Sequence, residues 1–376
     1  MPAQAEKGRT AWVRWMIVLG LFAGSAAAAF AQEVSETRDR SWEGRRERRI
    51  APFRRDAEAV MKLVEPLMTS LHDATVEVLS EGRPAALGIV IDARGLVLTK
   101  ASQVPGTSEL AVRFSDGRRY NSIRVAERRT NDLVLLQMEG AERMSFATVA
   151  FSDQDPPSVG SLLISAGPDG KPIGLGTVGV PPRPVEEFGV LGINLEDGPT
   201  GPIVAVVLPD SGAAEAGIQD GDIVESLDGT SYRTAEGLRK ALGALYPGDR
   251  VKLSIRRGDE RLDLTAELRD RWQLLIGDRA ELMVNGPTNG RASGFEQAIQ
   301  HDTVLEPNRC GGPIVDIEGH VVALNIARAG RVATYAIPAE IVQRDINSML
   351  EELAQAETIA TPDAETTPVS AVQGGE

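Results

Sequence analysis

The 376-residue chain has one cysteine and only three histidines. A single cysteine excludes an internal disulfide, so Cys310 persists as a thiol, pairs with another molecule or becomes oxidised. Cys310, His72, His301 and His320 are too scattered for a zinc-type ligand set, and the sequence points to no metal and no other cofactor. Aromatic residues make up only 4%, too few for base-stacking platforms, and a formal net charge of -14 opposes general attraction to nucleic acid. The rest of the composition, 42% apolar and 25% charged, is ordinary for a soluble globular protein. The length allows two or three domains, each with its own core.

Residues 1–31 read as an export signal. Lys7, Arg9 and Arg14 precede an apolar run from Trp15 to Phe30, and Ala29-Phe30-Ala31 puts small residues where a signal peptidase cuts. The run is short for a membrane span and alanine-rich near its end. Cleavage takes the formal charge from -14 to near -16 by removing three positive groups and one negative. An exported, envelope or periplasmic location follows. Residues 32–58 form a charged arm with Arg45, Arg46, Arg48 and Arg49 close together, either a solvated leader or an arm against an acidic surface. Ala57, Val60, Met61, Val64 and Leu67 then fall at helical spacing, interrupted by Pro66.

From Thr75 the pattern changes to closely spaced short strands, "ATVEVLS", "ALGIVID", "LVLTKAS", "LAVRFSD", "LVLLQME", "SLLISAG" and "IGLGTVG", which suggest a barrel or sandwich. Asp92-Ala-Arg-Gly95 is a turn between two of them, and Pro181, Pro182 and Pro184 mark a break. A different unit occupies residues 187–270. There, strand-like "FGVLGINL" and "GPIVAVVLP" precede a helix opened by Thr234 as N-cap, and "RVKLSIRRG" with "ERLDLTAEL" closes as a hairpin. Strands resume over 271–350 with "ELMVNG", "EQAIQH", "PIVDIEG", "HVVALNI" and "ATYAI". The acidic, Thr- and Ala-rich tail, residues 351–376, shows no periodicity and reads as disordered.

Two stretches resemble a known family. "IVIDARGLVLTKASQV", "RRTNDLVLLQM", "LLISAGPDGKPIGLGTVG" and "AIQHDTVLEPNRCGGPIVDIEGHVVALNIA" resemble the protease domain of HtrA-type serine proteases. Residues 187–270 resemble the PDZ peptide-binding module that those proteases carry. The resemblance implies a mostly β protein, a trypsin-like double β-barrel with a PDZ-like α+β module inserted into the second barrel. That insertion is itself a departure, since in the family the module usually follows the protease domain. The resemblance also implies a homo-oligomer.

The alignment puts Asp132 at the orienting aspartate, but Ser102 stands where the catalytic histidine belongs and Cys310 where the serine belongs. Asn308 falls at an oxyanion-loop position that needs an unusual backbone conformation, which asparagine tolerates, so the resemblance leaves open whether the oxyanion hole survives or is degenerate like the Ser102 and Cys310 positions. A serine hydroxyl cannot take a proton near neutral pH, and loss of the base costs on the order of a millionfold in turnover. A thiol is less demanding, because a few per cent of free cysteine is already thiolate. Lys100, two residues from Ser102, is a candidate base, because a lysine can take that role when buried. Two readings therefore stand: a non-catalytic binder of peptides or unfolded proteins, or an endopeptidase working through Cys310. The module has no such defect. Val190, Leu191, Gly192 and Ile193 resemble a carboxylate-binding loop, with Leu238 and Leu242 on the helix that walls a groove for peptide C-termini.

Overall fold

The computed structural model describes residues 55–360 apart from 142, 187–188, 272–273 and 275–285. The export signal, nearly all of the charged arm, most of the expected strand "ELMVNG" and the end of the tail lie outside the described residues. Helix Glu58–Val64 passes at Pro66 into the 3-10 helix Glu65–Leu71. Proline suits the first turn of a helix, where its missing N–H has no intrahelical role.

Strands β1 (Thr75–Ser80), β2 (Arg83–Asp92), β3 (Leu96–Lys100), β4 (Leu110–Arg113), β5 (Arg119–Arg128) and β6 (Leu133–Met138) close into a barrel in the order β1-β2-β3-β6-β5-β4. Closure leaves no free edge, and β-branched side chains suit the crowded interior. Val76, Val78, Val90, Val97, Val112, Val134 and Leu136 fill it, with Phe114 and Phe146 stacked at 5.4 Å. The β2–β3 connection is the expected turn, in which Gly95 donates to the Asp92 carbonyl at 3.0 Å with φ +94.

The second barrel is interrupted. Its strands β7 (Leu162–Ala166) and β8 (Pro172–Val185) precede the insert. The insert itself contains β9 (Gly189–Val190), β10 (Ile193–Asp197), β11 (Pro202–Val207), β12 (Ile223–Leu227), β13 (Thr230–Ser231), β14 (Arg250–Arg257), β15 (Glu260–Glu267) and β16 (Arg269–Asp270). Strands β17 (Phe295–His301), β18 (Pro313–Val315), β19 (Val321–Gly330) and β20 (Ala333–Pro338) complete the barrel in the order β17-β20-β19-β18-β7-β8. Two ladders explain how an insert is tolerated here. β9 pairs with β16 at its neck, and β8 pairs with β17 just beyond, so entry and exit are held side by side. The insert is one sheet, β10-β11-β12-β14-β15, with the helix Ala235–Leu242 packed on it. Thr234 caps that helix by accepting the Gly237 N–H at 3.2 Å.

The chain ends differently from expectation. Helix Ala339–Ala360 continues through residues read as disordered tail. Alanine, glutamate, glutamine and leucine in "EELAQAE" are strong helix formers, and a solvated helix turn shows little apolar periodicity. Arg128 of β5 holds this end down, donating to Glu352 at 2.7 Å and to the Ser348 hydroxyl at 2.7 Å. Among the described residues no helix is long and apolar enough to cross a membrane.

Candidate functional site

Three short turns bring the site together. Ala101–Gln103 follows β3, Arg129–Asn131 precedes β6, and Pro307–Arg309 leads into Cys310. Asp132 sits at φ +57, a left-handed conformation that asparagine and aspartate adopt more readily than most residues. Its carboxylate accepts the Ser102 N–H and the Ser102 hydroxyl, each at 2.8 Å. The aspartate is thus held against the residue at the base position, as an orienting group would be, but that residue is a serine.

The same carboxylate also receives the ammonium of Lys100, which is completely buried. Lys100 Nζ donates in addition to the Arg291 carbonyl at 3.1 Å, and the Arg291 guanidinium lies 3.8 Å from Asp132. Lys100 is therefore committed to an internal ion pair rather than placed in hydrogen-bond contact with the sulfur. The histidines lie elsewhere: His72 bonds Asp73, His301 bonds Thr303 and His320 bonds Asp316.

Cys310 has 0% exposure. Burial pushes its thiol up to about 11, and the positive charge of Lys100 only partly offsets this. The thiol donates to Asn289 Oδ1 at 3.4 Å. Asn289 belongs to a strap, residues 286–294, that leads into β17. Its N–H donates to the Arg328 carbonyl at 3.0 Å, its Oδ1 accepts the Arg328 N–H at 2.7 Å, and its Nδ2 donates to the Pro307 carbonyl at 3.3 Å. The strap thus lies along the edge of β19 beside the sulfur. Arg291 anchors it, its guanidinium 4.0 Å from the Tyr246 ring of the insert and 5.5 Å from Phe295. Asp249, also in the insert, pairs with Arg129.

The loop before Cys310 is a closed turn. Asn308 lies within a 3-10 turn and is not among the residues with positive φ. The Cys310 N–H is spent inside the turn on the Pro307 carbonyl at 3.2 Å. Pro307 fixes φ near the helical value at the start of the turn, which favours this closed form over the open one. Gly311 has φ +94, and a Cβ there would meet the Leu87 carbonyl at 2.1 Å, so the loop is wedged against the first barrel.

The groove of the insert is open. About 520 Å³ is enclosed by Val190, Leu191, Gly192, Ile193, Leu195, Leu208, Leu242 and Leu274, with Glu186, Arg239 and Arg271 as the charged members. Gly192 has φ +81, and a Cβ would strike Ser211 at 2.2 Å. The carbonyls of Leu191 and Gly192 accept the N–H groups of Ala213 and Leu208. Among the described residues the N–H groups of Leu191 and Gly192 donate to nothing, which leaves them free for an anion. One expected lining residue is misplaced. Leu238 is fully buried in the module's core, because it faces the sheet, and Arg239 takes its place at the groove.

Asn289, Arg291, Arg328 and Arg239 are functional neighbours that the sequence did not disclose. "NGPTNGRASG" reads only as a glycine-rich connection, and nothing in its spacing marks Asn289 as the residue over Cys310. Asp316, Glu318 and His320 bring potential metal-ligand atoms within 4.8 Å of one another. They lie in an exposed turn whose Asp316 carboxylate already accepts the Glu318 and His320 N–H groups.

Comparison with known proteins agrees with this architecture. A family model for the trypsin-like peptidase domain matches residues 86–183, and one for the PDZ domain matches residues 189–268. The periplasmic serine endoprotease DegP of Escherichia coli (strain K12) is 22% identical, with 50% of this chain and 57% of that protein covered. The periplasmic pH-dependent serine endoprotease DegQ of the same organism is also 22% identical, covering 48% and 58%. A probable serine protease do-like of Buchnera aphidicola is 24% identical, covering 50% and 57%. The chain spans little more than half the length of these relatives.

Proposed function

Since the chain is an HtrA-type, trypsin-like protein with a PDZ domain, we propose that it is a non-catalytic member that binds peptides or unfolded proteins through the PDZ groove. It acts as a scaffold, sensor or chaperone-like component in the cell envelope. The names of DegP and DegQ place those relatives in the periplasm, and the export signal read at residues 1–31 is consistent with the same compartment here.

The observation that carries the proposal is the state of Cys310. It is buried, protonated at neutral pH, bonded to Asn289 and without an imidazole partner. Acyl transfer needs a thiolate, a base to return a proton to the leaving amine, and donors for the oxyanion. The thiolate is suppressed, the base position holds Ser102, and the Cys310 N–H is consumed in its own turn. The groove, by contrast, has among the described residues an unpaired strand edge at β10, unused N–H groups at Leu191 and Gly192 and an apolar floor. Those are the elements needed to add a peptide as an extra strand.

The test is digestion of unfolded casein by the mature chain, run beside binding of a fluorescent peptide with a free C-terminal carboxylate. Binding without cleavage above the Cys310→Ala background is expected. Cleavage that disappears in Cys310→Ala would establish the alternative, a thiol endopeptidase with an unconventional base.

A further inference from the structure

Arg239 lies in the middle of the groove's helical wall, on helix Ala235–Leu242, opposite strand β10. Its side chain reaches across the groove, where Nη2 donates to the Leu195 carbonyl at 3.3 Å. Among the described residues β10 is the outer strand of its sheet, paired with β11 alone, so its other edge is the one to which a peptide would add. Among the described residues no carboxylate lies within ion-pair distance of Arg239. Among the described residues the groove lining contains two guanidinium groups, Arg239 and Arg271, and one carboxylate, Glu186.

The register of an added strand follows from the ladder. A terminal carboxylate held by the loop at Leu191–Ile193 puts the last residue of the peptide opposite Ile193. An antiparallel ladder repeats every two residues, so the third residue from the end falls opposite Leu195. That residue's N–H needs the Leu195 carbonyl, the acceptor that Arg239 now uses. Binding therefore dislodges the guanidinium and leaves it beside the side chain of that third residue. A basic side chain there adds repulsion, an apolar one leaves the cation to water, and a carboxylate supplies a charge-assisted partner.

Resting on the peptide-binding role proposed above, we infer that the groove selects C-terminal peptides with aspartate or glutamate as the third residue from the end, and that Arg239 is the residue that reads it.

The test uses the full mature chain and fluorescence polarisation with three decapeptide probes. Two differ only at the third residue from the end, finishing in Asp-Ala-Val or Lys-Ala-Val with a free carboxylate, and the third is the Asp probe amidated at its C-terminus. The Asp probe is expected to bind about tenfold more tightly than the Lys probe, with the difference shrinking as salt is raised. In Arg239→Gln the difference should fall below about twofold, with far-UV circular dichroism and the thermal midpoint reporting that the variant is folded. Equal affinity of the Asp and Lys probes for the unmodified protein overturns the inference while leaving the peptide-binding role intact. A preference that survives Arg239→Gln overturns the role of Arg239. If no probe binds, or if the amidated probe binds as well as the free acid, the reading of the groove as a carboxylate site fails and the inference fails with it.

Discussion

Restoring the two missing catalytic residues should not restore proteolysis. Ser102→His with Cys310→Ser rebuilds a triad on Asp132, and a working triad supplies on the order of a millionfold in turnover. Two features of the structure oppose that gain. Among the described residues Asn289 makes four hydrogen bonds across the cleft: two with Arg328, one to the Pro307 carbonyl and one from residue 310. At about 1 kcal/mol each they keep the cleft open in roughly one molecule in a thousand. The Cys310 N–H is held by the Pro307 carbonyl, and loss of one oxyanion donor costs about 10²–10³. Together these give about 10⁵–10⁶, which cancels nearly all of the restored chemistry. The double variant should therefore cleave a quenched fluorescent casein within about tenfold of background. Adding Asn289→Gly removes three of the four bonds and should raise the rate by roughly 10². Vigorous cleavage by the double variant alone, or no effect of Asn289→Gly, would refute the reasoning that the strap and the closed turn block the cleft.

Other outcomes follow from the same geometry. Lys100→Met leaves the Asp132 carboxylate buried without its ammonium partner and should cost about 3–5 kcal/mol in urea unfolding, most of it recovered by adding Asp132→Asn. Gly311→Ala places a methyl group 2.1 Å from the Leu87 carbonyl at φ +94, so a loss of at least about 3 kcal/mol and a clearly lower thermal midpoint are expected. The folded-state thiol of Cys310 titrates at about 11 rather than its usual 9.0. Its contribution to stability is complete below pH 9 and is lost as pH rises through 11, about 3 kcal/mol in all. Cys310→Ala should lack this alkaline step, so the stability difference between the two proteins should change by about that amount between pH 9 and 11 and level off above it.

The barrels were legible because their strands carry unbroken apolar runs. "LVL" of β3 is buried at every position, as a strand covered on both faces requires, although the run alone left barrel and sandwich open. The turn at Gly95, the cap at Thr234 and the groove loop at Gly192 were legible for a local reason, since each depends on one residue's conformational or hydrogen-bonding habit. What escaped detection is non-local. Asn289 lies 21 positions from Cys310 in sequence, in a glycine-rich connection without periodicity, and only folding brings its amide to the sulfur. The closing of the oxyanion loop was missed because the tolerance of Asn308 for unusual dihedrals was weighed without the preference of Pro307 for a helical turn. Leu238 and Arg239 are adjacent on one helix, and the sequence could not tell which of the two faced the groove. The helix end at Ala360 was missed because a solvated turn held by Arg128 through Glu352 leaves no apolar signature.

Alkylation of the native thiol tests the central point without any assumption about substrates. The mature protein is incubated with iodoacetamide at pH 7.5 and the mass of the peptide containing Cys310 is followed with time, with a sample in urea as the unfolded reference. Cys310 should stay unmodified in the folded protein, at a rate at least about 10³ below the urea sample, and react fully once unfolded. Labelling of the folded protein at the pace of a free cysteine would mean that the sulfur is accessible and ionisable, and the account of a closed, non-catalytic site would be wrong.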